Sequence, residues 1–348
     1  MLWIHVDDGV LVTSNDNIRE KMKLNPTEKL KLRWDDDINS IVGIEIKQKG
    51  NSFYLKQPRL IKKLVEATDS QLTANQPLPE IKLESSPASQ IDCHYLSAIG
   101  MMLYLAQATR PNIMYAVNYL ARVVMNAQHD DWKVLKHLVD YINTTKHQIL
   151  KIGVDNTRRD MEVYVNANWG GAGSRFQHSF YIILFGTMVA WSSKKQSCIA
   201  SLTCQAKYMA LSFAAKEALW LVSNIEDVIR QQCPVLLLDN KAAIQIVNNS
   251  SRKKKSKHIQ REFHIINELV VSKKVTINWI ATTGKMADIF TKAQGKIKTN
   301  HFRRCMEESS VEVELAEELS NKHPKFPVRL IKTYKAGDAE NFPLRNKF

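Results

Sequence analysis

Apolar and polar positions change their spacing three times along the chain, and each change marks a group of expected elements. The first group is β-rich. Leu2 to Val6 and Val10 to Thr13 are short β-prone runs flanking Asp7-Asp8-Gly9, and an acidic pair plus glycine there predicts a tight hairpin. Ile18 to Leu32 has helical spacing, Ile41 to Lys47 and Phe53 to Lys56 predict strands around Gly50-Asn51, and Pro58 to Ala67 predicts a short helix. Residues 68–94 are polar, carry Pro77, Pro79 and Pro87, and lack a clear period, as a linker does. Helical spacing returns in residues 95–155, over Tyr95 to Ala108, Arg110 to Met125 and Asp130 to Thr144. Thr109-Arg110-Pro111 suits a helix start, with threonine as cap and proline in the first turn.

From Met161 the pattern turns to strands and then alternates. Met161 to Asn166, Ser179 to Phe185 and Thr187 to Ser192 predict three consecutive strands, and Cys204 to Arg230 a long helix. Val235 to Leu238 is wholly apolar, as a central strand covered on both faces must be. Helices over Lys241 to Val247 and His258 to Val271, then a strand over Val275 to Ala281, complete residues 156–306. The order predicts an α/β fold. Residues 307–348 are charged and interrupted by Pro324, Pro327 and Pro343, so an appended, partly irregular tail is expected.

Composition narrows the class. The 348 residues, 44% of them hydrophobic, suffice for more than one core. No stretch is long and apolar enough to span a bilayer, and the N-terminus lacks a secretory pattern, so an intracellular location is expected. The five cysteines are scattered without a Cys-x-x-Cys pair, against a disulfide framework or zinc site. A net charge of +14 suits a polyanionic partner, and equally a lysine-rich solvated face.

Motifs decide the lineage. His5-Val-Asp7-Asp8 resembles the Tyr-x-Asp-Asp hairpin of reverse transcriptases, whose adjacent carboxylates reach magnesium. Gly43-Ile-Glu-Ile46, Phe53-Tyr-Leu-Lys-Gln57, Thr109-Arg-Pro-Asn-Ile113, Trp191-Ser-Ser-Lys-Lys-Gln196, Asp239-Asn-Lys-Ala-Ala-Ile244, Ser256-Lys-His-Ile259 and Ala287-Asp-Ile289 follow in order. Together they resemble copia-type retrotransposon polyproteins, from about Leu2 to about Arg304. The tail segment Glu317 to Val328, with Leu330 to Tyr334, is similar to the end of a gypsy-type integrase.

The resemblance implies an α+β remnant of the reverse transcriptase palm in residues 1–67, a linker in 68–94 and a helical connection in 95–155. A ribonuclease H-like mixed-sheet α/β domain in 156–306 and the tail complete the expected division. It places a further polymerase aspartate well upstream of the hairpin, so Asp7 and Asp8 are expected to be a polymerase remnant without activity of their own. In the nuclease part it implies four acid positions, at Asn166, Lys207, Asp239 and Asp288. Two magnesium ions about 4 Å apart would there cut the RNA strand of an RNA–DNA hybrid. Only Asp239 and Asp288 remain acidic. Asn166 offers a neutral amide, and Lys207 brings an ammonium into a site built to concentrate cations. Asp239, Asp288, Asp7 and Asp8 are accordingly the retained metal positions, with weak or lost binding expected.

Arg252-Lys253-Lys254-Lys255-Ser-Lys257-His258 is the densest basic run, and with Lys194 and Lys195 it is a candidate grip on nucleic-acid phosphates. Trp169 could stack on a nucleotide, although an aromatic on the rim or in the core is the commoner case. The expected function is a reverse transcriptase/ribonuclease H fragment that no longer cuts. A non-catalytic hybrid-binding module and a nuclease acting through a rearranged metal site are the alternatives.

Asn166, Asn168 and Lys207 each replace an acid of the resembled family, and each replacement needs a single G-to-A change. A decaying element with deaminated cytosines would carry that signature. Comparison of the coding DNA with intact sister copies is expected to show G-to-A changes in excess; a flat substitution spectrum would exclude this origin.

Overall fold

The computed structural model describes residues 2–6, 8–13, 15–27, 32–35, 38–79, 93–153, 161–168, 176–196, 203–226, 233–248, 257–281, 286–309 and 328–333. The chain forms two compact units, Ser52–Asn321 and a smaller one of Met1–Asn51 with Lys322–Phe348. The larger unit therefore contains the boundaries expected at 67/68, 94/95 and 155/156.

In the smaller unit, β1 (Leu2–His5) pairs antiparallel with β2 (Asp8–Val12), His5 facing Asp8. Asp8 thus lies inside the strand pair and not in the turn, and its Oδ2 accepts the Val42 N–H at 2.8 Å. α1 (Asp16–Thr27) starts at Asn15, whose Oδ1 accepts the Asn17 N–H at 2.7 Å. β3 (Leu32–Asp35) follows, then β4 (Ser40–Ile41) and β5 (Ile44–Lys49) as a two-residue hairpin. Its turn residues Val42 and Gly43 both have positive φ, 47° and 76°, the twist that suits a hairpin but strains a β-branched valine.

The larger unit begins with β6 (Ser52–Lys56) and α2 (Pro58–Thr68), proline occupying the first helical turn. Of the expected linker 68–94, Thr68 ends α2, residues 93–94 begin the next helix, and residues 69–79 form neither helix nor strand and are bound by a polar stripe on α5 (His129–Thr144). Asp140 accepts from the Ser70 hydroxyl and from the Leu72 N–H at 3.1 Å. Thr144 Oγ1 accepts the Ala74 N–H at 3.1 Å, and His137 Nε2 lies 3.0 Å from the Gln76 carbonyl. Positions 137, 140 and 144 share one helix face, so α5 supplies the hydrogen bonds that an extended segment cannot make for itself.

α3 (Cys93–Ala108) and α4 (Met114–Ala121) pack with α5. The helix expected over Arg110 to Met125 is three pieces: 3-10 turns at Pro111–Ile113 and Val124–Asn126 flank α4. Arg110, 1% exposed, explains the first break. Its guanidinium donates to Thr145 O (3.2 Å), Thr145 Oγ1 (2.6 Å) and Asn112 Oδ1 (3.2 Å). Asn112 Nδ2 in turn donates to the Tyr141 hydroxyl at 2.8 Å. A buried cation is thereby placed at the C-terminal end of α5, where the helix dipole favours it.

β7 (Gln148–Gly153), a strand within the segment 95–155 expected as a helical connection, pairs antiparallel with β6 on one side and β13 (Glu307–Ser309) on the other. The main sheet holds β8 (Met161–Asn168), β9 (Gln177–Leu184), β10 (Thr187–Lys195), β11 (Val235–Leu238) and β12 (Thr276–Trp279). Its order is β10-β9-β8-β11-β12, antiparallel over the first three strands and parallel from β8 through β12. Strand alternation sends Val163, Val165, Phe180 and Ile182 to one face, against α6 (Thr203–Ile225), α7 (Lys241–Asn248) and α8 (Lys257–Val271). Tyr181, Ile183 and Met188 face the opposite way and join the core of α2 to α5. The helical segment and the sheet therefore share one core. A 3-10 turn at Met286–Phe290 and α9 (Lys296–Met306) follow β12.

The tail is not wholly irregular. Val328–Thr333 forms β14, which lies between β2 and β3 in the smaller unit, antiparallel to both. Most of the integrase-like stretch, Glu317 to Pro327, lies outside the described residues.

Arg110→Ala would leave Asn112 and Thr145 with unmet partners in a dry site. The larger unit is expected to lose about 3 kcal/mol in urea unfolding; a loss below about 1 kcal/mol would show that the network carries no weight.

Candidate functional site

The four expected acid positions converge at one end of the main sheet. Asn166 lies near the end of β8, and the parallel register pairs Leu237 with Tyr164, so Asp239, just past β11, falls beside Asn166. Lys207 lies early in α6, the helix packed on β8, and Asp288 sits in the 3-10 turn after β12. The C-terminal ends of parallel strands thus bring together residues 166, 207, 239 and 288, as expected from the motifs.

Each carboxylate is already engaged. Lys207 Nζ forms an ion pair with Asp239 Oδ1, the two side chains only 11% and 14% exposed. Asp288 Oδ1 accepts from Asn166 Nδ2 at 2.7 Å, and its Oδ2 pairs with Lys292 Nζ at 2.6 Å. Asn166, 5% exposed, also donates to Thr291 Oγ1 at 3.1 Å. An aspartate at 166 could not donate these two bonds. The 3-10 turn is held to the sheet by buried hydroxyls: Ser179 donates to the Ala287 carbonyl at 3.1 Å and Ser193 to the Phe290 carbonyl. Gln177 Nε2 donates to Ser193 Oγ at 2.7 Å, and Arg122 from the helical segment donates to Gln177 Oε1. These supports were not singled out from sequence; their signal is polar residues at alternate sheet positions that should be apolar.

The donor set does not fit a two-metal centre. Magnesium takes oxygen ligands in near-octahedral geometry. Here an ammonium covers Asp239, a second covers one oxygen of Asp288, and an amide N–H points at the other. A cation placed about 4 Å from the Lys207 ammonium would meet a repulsion of about 4 kcal/mol per unit charge at an effective dielectric near 20. Among the described residues no group of three or more His, Cys, Asp or Glu side chains could hold a metal ion.

The basic candidates are partly placed. Lys194 and Lys195, exposed at the end of β10, lie at the same end of the sheet as Asn166. The register runs Ala167, His178, Lys194 across three strands, a span of roughly 10 Å. Lys194 Nζ stands 5.2 Å over the Phe213 ring. Arg252, Lys253, Lys254, Lys255 and Trp169 lie outside the described residues, and of Lys257 and His258 only the backbone, the start of α8, is described. Asp7 is likewise outside them, and Asp8 belongs to the smaller unit.

An open mixed sheet in this order, with helices packed against it, is the ribonuclease H-like α/β fold expected from the element order and motifs. The relatives of this chain are copia-type retrotransposon Pol polyproteins. It is 28% identical over 314 residues to the Pol polyprotein from transposon RE2 of Arabidopsis thaliana, covering 87% of this chain and 21% of that protein. To the polyprotein from transposon TNT 1-94 of Nicotiana tabacum it is 25% identical, over 88% of this chain and 24% of that protein. The chain thus spans about a fifth to a quarter of the length of these relatives. It is also 36% identical over 129 residues to secreted RxLR effector protein 161 of Plasmopara viticola, covering 36% of this chain and 90% of that protein. No family profile matches. Among solved structures it is similar to a foamy viral protease-reverse transcriptase in complex with RNA/DNA hybrid. That match has TM-score 0.46 and 12% identity, over 81% of this chain and 36% of the other. Ribonuclease H1 of Halobacterium salinarum gives TM-score 0.31 and 15% identity, over 38% of this chain and 94% of the other. Among the described residues no helix is long and apolar enough to cross a membrane.

His178, beside Lys194, has no partner for either ring nitrogen among the described residues. Burial first, then the Lys194 charge, push its pKa down from 6.5 to about 4. The unfolded chain gains a proton as pH falls through 6.5, while the folded chain resists until about 4. Stability is therefore full above the upper value and declines through that window, by roughly 3 kcal/mol in all. His178→Phe is expected to flatten this part of the stability–pH curve, read by urea unfolding; an unchanged slope would exclude the assignment.

Proposed function

We propose that this chain is the reverse transcriptase–ribonuclease H portion of a copia-type Pol protein that holds an RNA–DNA hybrid or related nucleic acid without cutting it. The observation that carries this reading is the Lys207–Asp239 ion pair beside Asn166, at the positions where the family implies acids. Two-metal hydrolysis needs clustered oxygen ligands to position two cations, and this cluster is neutralised by its own lysines. Lys194 and Lys195 flanking the same end of the sheet, and the net charge of +14, favour phosphate contact. The palm segment with Asp7 and Asp8 is read as a remnant of the polymerase site, and the basic run 252–258 as an additional phosphate grip.

A labelled RNA–DNA hybrid tests the reading. Binding is expected to weaken about tenfold or more as salt rises from low to physiological levels, with no cleavage in magnesium or manganese. Hybrid cleavage by the unaltered chain that Asp239→Ala abolishes would establish a working nuclease with a rearranged site and overturn the proposal. Asn166→Asp with Lys207→Glu is expected to restore metal-dependent cleavage; a well-folded double variant without metal affinity would mean that these positions are wrongly assigned.

A further inference from the structure

Three consecutive residues of α6 are tied to three different elements. Ala206 offers its carbonyl to Gln196 Nε2, just past β10, at 2.8 Å. Lys207 reaches Asp239 at the end of β11. The Tyr208 hydroxyl donates to the Ala243 carbonyl in α7 at 2.6 Å. Both flanking ties are buried, and the inner face of α6 is lined by Ala210, Ala214, Ala215 and Ala218, small residues that let the helix lie close to the sheet. The helix is thereby fixed at the position from which the Lys207 ammonium, 11% exposed, meets Asp239.

A carboxylate this enclosed needs a compensating cation. In a metal nuclease that cation is a divalent ion, and the residues present here do not fit one. We infer that Lys207 is an internal counter-ion that replaces the structural part of a divalent metal's role, so the folded chain neither needs nor binds such an ion at Asp239 and Asp288. The inference rests on the reading of residues 166, 207, 239 and 288 as a former metal frame. It makes the loss of catalysis and the gain of a metal-independent fold two results of one substitution. Lys292 supplies the matching charge for Asp288 from a more open position, 44% exposed.

Thermal melting of the full chain in EDTA, magnesium or manganese, without nucleic acid, tests this. The unaltered chain is expected to melt at the same temperature in all three, and Lys207→Arg, which keeps the charge, to share that indifference. Lys207→Glu is expected to melt about 10 °C lower in EDTA and to recover most of the difference on adding manganese. Should Lys207→Glu fail to fold, manganese binding to the unaltered chain decides, followed by electron paramagnetic resonance. Absence of a saturable site that depends on Asp239 supports the inference. Such a site, lost in Asp239→Asn, overturns it, as does a melting point of the unaltered chain raised by manganese. Because no hybrid is present, failure of hybrid binding would remove the proposed function and leave these results standing.

Discussion

Parallel pairing of β8 with β11 places both strands inside the sheet, β8 contributing to the cores on its two faces and β11 burying Leu236 and Leu238 on one. That constraint organises the larger unit. The buried side chains along these strands, Met161, Val163, Val165, Leu236 and Leu238, are apolar, and Asn166 and Asp239 follow them at one end of the pair. Asn166 and Asp239 stand there because the interior admits nothing charged. The helical segment exists in its observed form for the same reason: α2 to α5 cover the face that α6 to α8 do not. Tyr164 and Tyr181, stacked at 4.5 Å, belong to the face turned toward that segment.

Local charge at the strand ends then decides the chemistry. Four carboxylates so close would repel one another unless cations stood between them. Two carboxylates, an amide and two ammoniums form a network that balances its own charge. The Lys207–Asp239 pair balances the charge at the end of β11, and the Asn166 amide, by donating to Asp288 and Thr291, braces the 3-10 turn. A buried pair of this kind contributes specificity of position more surely than net stability, because desolvation offsets much of its attraction. Hydroxyls of Ser179 and Ser193 complete the brace from the strand side.

Much of this was legible in the sequence. Val235 to Leu238 appears as the predicted strand, although the expected cover on both faces is not met: Leu236 and Leu238 are buried, while Val235 and Leu237 on the other face are half-buried. Elements held together by their own periodicity, such as α5 and α8, came out within a residue or so at their ends. Three features did not. The break at Arg110 depends on hydrogen bonds to Thr145, thirty-five residues away. The order in residues 69–79 depends on acceptors and donors on α5. β7 and β14 gain their hydrogen bonds from strands distant in the chain, which local spacing does not encode.

Residue types alone indicated the lineage and the α/β order, and gave the expectation that Asn166 and Lys207 stand where the family implies acids. They left Lys207 able to turn outward, to pair with Asp239 or to pair with Asp288. Tertiary structure decided among these, because Ala206 and Tyr208 are fixed to β10's end and to α7 on either side of it. A long side chain can reach several partners from a given backbone position. Only the packing of the helix that carries it selects one, and that packing is set by apolar contacts along the whole length of α6 against β8 and β9.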